Sequence, residues 1–145
     1  MSGFSLEVFG QLNYWAILVS GLVAFTIGGL WYSPVLFEGA WMSANGYSES
    51  QIQANMSSLI PFGFIGAIVI YTLMTTAFAF LSYALGADTV ISCILLGLLL
   101  WAGFVASSGF MVMLFSPGPV SGWLIDAGFQ LISLLAVGVV LGAWR

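Results

Sequence analysis

Histidine is missing from this chain of 145 residues, lysine and arginine together number one, and cysteine occurs once, as Cys93. Each scarcity closes a class of function. With no histidine and a single thiol there is no intrachain disulfide and no ordinary ligand set for zinc, haem or copper, so no cofactor and no metal is expected. No Ser, His and Asp set exists for nucleophilic catalysis, and no glycine-rich phosphate loop follows a strand. The chain therefore reads as non-enzymatic. Its formal net charge of -4 comes without any basic cluster, which argues against nucleic acid and against electrostatic docking on anionic lipid.

Charge of either sign is just as scarce. Glu7, Glu38, Glu49, Asp88, Asp126 and Arg145 are the whole ionisable acid and base set, 4% of the residues, against 61% that are hydrophobic. A water-soluble domain devotes about a quarter of its residues to charge, so this composition belongs in lipid. Crossing about 30 Å of hydrocarbon takes roughly 20 apolar residues. Leu12 to Ser33, Leu59 to Leu85, Val90 to Phe115 and Gly122 to Trp144 meet that length. The expected fold is all-α, a single four-span membrane domain over residues 1–145, with no room for a soluble catalytic domain. The N-terminus has neither a basic region nor a small-residue cleavage pattern, so the first span is expected to stay attached.

The spans carry their own punctuation. Asn13, Tyr14 and Trp15 open the first and Trp31, Tyr32 and Ser33 close it, the aromatic pairs lying about 25 Å apart at 1.5 Å rise per residue, as at two membrane surfaces. Pro34 ends that span. Val35, Leu36, Phe37, Ala40, Trp41 and Met42 around Glu38 suit a short helical segment at the headgroup level. Asn45 and Gly46 make a turn, and Ser48 with Gln51 reads as a capping box for a small polar helix leading to the second span. Pro61 fits the opening turn of that span. Gly86 stops it, Asp88 can cap the third span, Pro117, Gly118 and Pro119 end the third, and Ser121 can cap the fourth. Arg145 and the terminal amine lie on one face if there are four spans, which places both termini in the cytoplasm.

Helices associate in lipid through close packing of small residues and a few hydrogen bonds. Ser20, Ala24 and Gly28 form such a stripe on the first span, Gly63 and Ala67 on the second, Gly103 and Ser107 on the third, and Gly138 and Gly142 on the fourth. Packing within the chain and packing between subunits are both open at any one stripe, and several stripes facing different ways predict a homo-oligomer. Asp126 is the one acid inside a span, and Asp126, Gln130 and Ser133 share a helix face. Acids in hydrocarbon often mark proton or ion paths. Alternatively, Asp126 sits about a turn inside its helix, where headgroup water and the positive end of the helix dipole tolerate it. Hydroxyls at Thr72, Thr75, Thr76, Ser82, Ser107 and Ser108 read first as bonded to their own helix backbone. Tyr71 and Trp101 lie near mid-membrane and read as packing residues whose polar atoms need partners.

The run Gly29-Leu30-Trp31-Tyr32-Ser33-Pro34-Val35-Leu36-Phe37, with Trp41-Met42, Leu100-Trp101, Gly103-Phe104, Leu124 to Leu131 and Gly142-Ala143-Trp144, resembles the bacterial membrane family named domain of unknown function 1761. The likeness follows the chain order almost throughout, and Trp-Tyr-Ser-Pro is its most specific part. It implies a four-span membrane fold and emphasises Trp31, Tyr32, Ser33, Pro34, Phe37, Trp41, Asp126 and Gln130. It implies no activity. If the first span runs outward and the fourth inward, these residues share the outer layer, and Tyr32 or Trp31 can donate to the Asp126 carboxylate beneath the Pro34 to Met42 segment. The function expected is that of a small non-enzymatic subunit of the bacterial inner membrane, whose partners are the lipid bilayer and either copies of itself or a larger membrane complex. The alternative is a minimal proton- or cation-linked transporter using Asp126.

Overall fold

The computed structural model describes residues 5–116 and 118–144, and the side chains of all of these except residues 55–61. Expectations that rest on Met1 to Phe4, Pro117, Arg145 or the ring of Pro61 fall outside the described residues. Asn13 starts the first long helix, α1 (Tyr14–Trp31), by accepting from the amides of Trp15 and Ala16, both at 3.1 Å, which satisfies two donors that a helix start leaves open. Just before it, a 3₁₀ turn (Leu6–Gln11) tucks Val8 into the core and leaves its other residues exposed. Past Trp31 the chain reverses through Ser33 and Pro34, with the Phe37 amide donating to the Trp31 carbonyl at 3.0 Å. The short α2 (Glu38–Asn45) follows, and Gly46 ends it at φ +71°, a backbone conformation glycine adopts without strain.

The capping box at Ser48 and Gln51 forms with both of its reciprocal bonds. What it starts differs from the expectation. No separate polar helix precedes the second span, and Pro61 does not open one: a single helix, α3 (Glu49–Ala84), runs for 36 residues, about 54 Å at 1.5 Å per residue. Nothing after Gly46 breaks the helix, because a proline removes one backbone bond and clashes with one carbonyl, and membrane helices tolerate both. Roughly the last 30 Å suffices to span, so the first turns of α3 stand beyond the hydrocarbon.

Gly86, at φ +67°, turns the chain back. Thr89, not Asp88, then caps the third span: its hydroxyl accepts from the Ser92 amide at 3.1 Å, while the Ser92 hydroxyl accepts from the Thr89 amide at 2.9 Å. Asp88 stays exposed because the serine three residues past Thr89 gives that pair the reciprocal bond that Asp88 lacks. The third span is α4 (Val90–Leu100), a π-helical turn (Trp101–Ala106) and α5 (Ser107–Phe115) in one continuous rod. The fourth, α6 (Val120–Ala143), begins after Pro119 with no side-chain cap, so Ser121 lies inside its first turn rather than capping it. Among the described residues four helices are thus long and apolar enough to cross a membrane, and the chain is an all-α integral membrane protein with a short helix between its first two spans.

α6 is the axis of the bundle. It packs on α4 and on α1, touches α2 near its start, and meets α3 only slightly. It is the most enclosed of the four spans, 39% buried along its apolar stretch against 17–22% for the others. Glycine sets its approach to α4. A Cβ at Gly138 would lie 2.9 Å from the Cys93 carbonyl oxygen, one at Gly142 2.6 Å from Val90 Cα, and one at Gly97 3.0 Å from the Leu134 carbonyl oxygen. Ser20 and Ala24 are fully buried on α1, and Gly28 faces Tyr71 and Phe129. The remaining stripes behave otherwise. Gly63 and Gly103 meet nothing within 4 Å of a built Cβ and Ser107 is exposed, so neither stripe is a seam inside the chain. The apolar core of Val8, Ala16, Ile17, Phe78, Cys93, Val137 and Leu141 gathers at the end of the bundle where α3 turns into α4.

Candidate functional site: an aromatic clamp on the start of α6

At the opposite end, the second turn of α6 is held by side chains from three other elements. Asp126 Oδ1 accepts from the Tyr32 hydroxyl at 2.7 Å and from Trp41 Nε1 at 3.0 Å. Trp31 Nε1 donates to the Ile125 carbonyl at 3.1 Å, and Trp101 Nε1 donates to the Ala127 carbonyl at 2.8 Å. Three consecutive residues of one helix therefore receive four ring donors. The indoles of Trp31 and Trp101 each reach a carbonyl that, inside a helix, has a second lone pair to offer. An unpaired Trp N–H or Tyr O–H at this depth costs free energy, so these bonds also settle where the rings can lie.

Local sequence explains how the donors arrive. Trp31 and Tyr32 end α1 side by side, and the turn through Ser33 and Pro34 folds α2 back over them, bringing Trp41 down onto the same carboxylate. The Ser33 hydroxyl donates to the Leu30 carbonyl at 2.6 Å and its own carbonyl accepts from the Leu36 amide at 3.0 Å, so Ser33 shapes the turn and does not touch Asp126. Pro34 is exposed within that turn. Phe37 packs on Trp31 with centroids 4.6 Å apart, Phe129 meets Tyr32 edge to face at 5.3 Å, and Trp41 stacks on Tyr47 at 5.4 Å. Small residues make room: a Cβ at Gly128 would lie 3.2 Å from the Trp31 ring, and one at Gly122 would be 3.5 Å from Ala44 Cβ. The π turn places Trp101 on α6, since the extra residue per turn re-aims side chains that a regular helix would keep in register.

Of the residues singled out from the sequence, Trp31, Tyr32, Trp41 and Asp126 meet, and Phe37 supports them. The expected donors to the carboxylate were Tyr32 or Trp31. Tyr32 is one, but Trp31 takes a neighbouring carbonyl and Trp41 supplies the second bond. Gln130 is half-buried one turn along α6 and makes no hydrogen bond to a described residue, so it stands beside the clamp and not in it. Ser133, next on that face, is fully buried with its hydroxyl unpartnered among the described residues. Trp101, which the sequence presents as a packing residue, and Phe129, which the sequence does not single out, both belong to the clamp. The one signal for Trp101 was an indole placed too deep for the surface belts, whose N–H needed an acceptor.

The hydroxyls elsewhere in the spans turn back on their own helices. Thr72, Thr75 and Thr76 donate to carbonyls a turn earlier at 2.7–2.8 Å, and Ser107 does the same at 2.8 Å. Ser108 likewise bonds the Phe104 carbonyl. Among the described residues no group of three His, Cys, Asp or Glu side chains is placed to hold a metal ion. What the arrangement does chemically is to tie a carboxylate at the membrane surface to two ring donors, which fixes the corner between α1 and α2 on the start of α6.

No curated protein and no solved structure matches the chain. The family described as Protein of unknown function (DUF1761) matches residues 15–142, which takes in every element of the clamp, from Trp31 to Phe129. Matched over nearly its whole length, the chain belongs to that family of unknown function.

Proposed function

We propose that the chain is a non-enzymatic membrane subunit that works by assembly, with copies of itself or within a larger membrane complex, in a bacterial inner membrane with both termini cytoplasmic. The observation that carries this reading is the contrast in enclosure between α6 and α3. The span of α3 leaves Phe62, Ile65, Val69, Ile70 and Leu73 exposed, and a Cβ added at Gly63 or Gly66 would meet nothing within 4 Å. A smooth helix face of this kind lets another helix approach closely in lipid. Native mass spectrometry from gently solubilised membranes tests it. Defined multimers or co-purified membrane partners support the reading, and a lone monomer at every protein concentration contradicts it.

A second reading is favoured by one detail. Asp126 takes both of its described hydrogen bonds on Oδ1, which leaves Oδ2 available to a proton or cation. In that case the chain is a minimal proton- or cation-linked transporter. Flux into proteoliposomes at several pH values separates the two: assembly alone gives no saturable flux, whereas saturable flux abolished by Asp126→Asn establishes transport.

A further inference from the structure

Directly beyond the clamp lies a cleft that the clamp does not use. One lobe, of about 360 Å³, is lined by Tyr32, Glu38, Trp41 and Ile52, and an adjoining lobe of about 510 Å³ shares Glu38 and Ile52 and adds Pro34, Met42 and Glu49. These volumes fall in the range of small-ligand sites. It sits where α1 has left the hydrocarbon, between α2 and the first turns of α3 that stand above the membrane.

The chemistry of its walls is one-sided. Glu38 and Glu49 face it, the Asp126 carboxylate lies behind it, and the only basic side chain in the sequence, Arg145, follows the far end of α6. The Tyr32 hydroxyl and the Trp41 N–H are both engaged by Asp126, so what those two residues offer the cleft is aromatic surface. Aromatic surface beside carboxylates attracts a cation that can lose much of its water. Among the described residues no group of three His, Cys, Asp or Glu side chains stands here to strip a hard metal ion of the water it holds tightly. Ile52, Met42 and Pro34 add apolar wall, which suits carbon substituents around a charged nitrogen.

We infer that the cleft between α2 and the start of α3 binds a substituted ammonium group, its charge facing Glu38 and Glu49 and its alkyl substituents against Tyr32, Trp41 and Ile52. At this level of the membrane such a group comes either from a choline headgroup or from a free amphipathic amine. The site goes beyond the assembly proposed above and does not depend on it.

The test uses the full chain in nanodiscs of phosphatidylglycerol alone, which carry no ammonium group, titrated calorimetrically with benzyltrimethylammonium. Saturable binding is expected, weakened about tenfold by Glu38→Gln together with Glu49→Gln, a size in keeping with two partly screened charges beside an aromatic surface. Glu7→Gln removes a charge on the opposite side of the membrane and should leave binding unchanged. Ile52→Trp, which fills both lobes without touching a carboxylate, should abolish it, and the uncharged carbon isostere of the probe should not bind. Nanodiscs containing phosphatidylcholine then identify the source: a raised apparent Kd names the headgroup as occupant, and an unchanged one names a free amine. The inference is overturned if the probe does not saturate in phosphatidylglycerol, if the two glutamine substitutions leave its affinity intact, or if Glu7→Gln weakens it equally.

Discussion

The two ends of α6 are held by opposite means. Toward its C-terminus, Gly138 and Gly142 lie under α4 so closely that a methyl group would meet backbone atoms at 2.9 and 2.6 Å. Toward its N-terminus, four ring donors hold Asp126 and the carbonyls on either side of it, and the rings themselves are only partly buried. The first end is a close backbone seam beside an apolar core, the second a set of polar side-chain contacts. Lipid tails are as apolar as leucine, so a leucine-to-leucine contact gains little over a leucine-to-lipid one. What distinguishes protein from lipid is backbone approach at one end and directed hydrogen bonds at the other. Small residues serve both ends, as a contact surface at Gly138 and as clearance for the Trp31 ring at Gly128.

Breaking the glycine end should have the larger effect. Gly138→Leu forces a side chain into the Cys93 backbone, which neither helix can move aside cheaply, and should cost about 3 kcal/mol as overpacking of a close seam. A lowered unfolding midpoint in detergent, with far-UV helix content retained below it, is the measurement. Asp126→Ala removes the acceptor shared by Tyr32 and Trp41 and should cost about 2 kcal/mol, the range for hydrogen bonds to a charged group. Limited proteolysis between Ser33 and Ser48 should accelerate in the same variant, because α2 loses its attachment to α6. Trp101→Phe keeps the ring and deletes one bond to the Ala127 carbonyl, an interhelical bond worth about 0.6 kcal/mol in a membrane.

The smallest effect on the fold belongs to the outward stripes. Gly103→Ala and Ser107→Ala meet open space within the chain, so thermal stability should stay within about 0.5 kcal/mol of the parent. If those faces join subunits, the same changes should alter the multimer distribution in native mass spectra while the monomer remains folded.

The spans were legible because hydrocarbon demands a long apolar run and little else imitates one. The outer layer was legible in part. Trp31, Tyr32 and Asp126 could be placed at one level by counting residues along two antiparallel helices. The partner of each indole could not, because the choice between a carboxylate and a carbonyl a residue away depends on ring rotation that sequence spacing does not fix. Trp101 escaped for a different reason: its approach to Ala127 depends on the π turn, and nothing in Trp101 to Ala106 announces an extra residue in the helical turn. Cap positions slipped for a simple reason. Asp88 and Thr89 are adjacent and both favour capping, and Ser92, three residues beyond Thr89, decides between them. The stripes were visible as patterns, yet which ones face inward depends on where α6 sits, and only the bundle shows that.

The hydrogen bond between Tyr32 and Asp126 joins the end of α1 to the start of α6, and a double-mutant cycle of Tyr32→Phe and Asp126→Ala, measured as unfolding free energy in one detergent, tests it most directly. A coupling of about 1 kcal/mol, with the double variant no less stable than Asp126→Ala by itself, is the predicted result. Fully additive losses, or no loss from either substitution, would contradict the clamp.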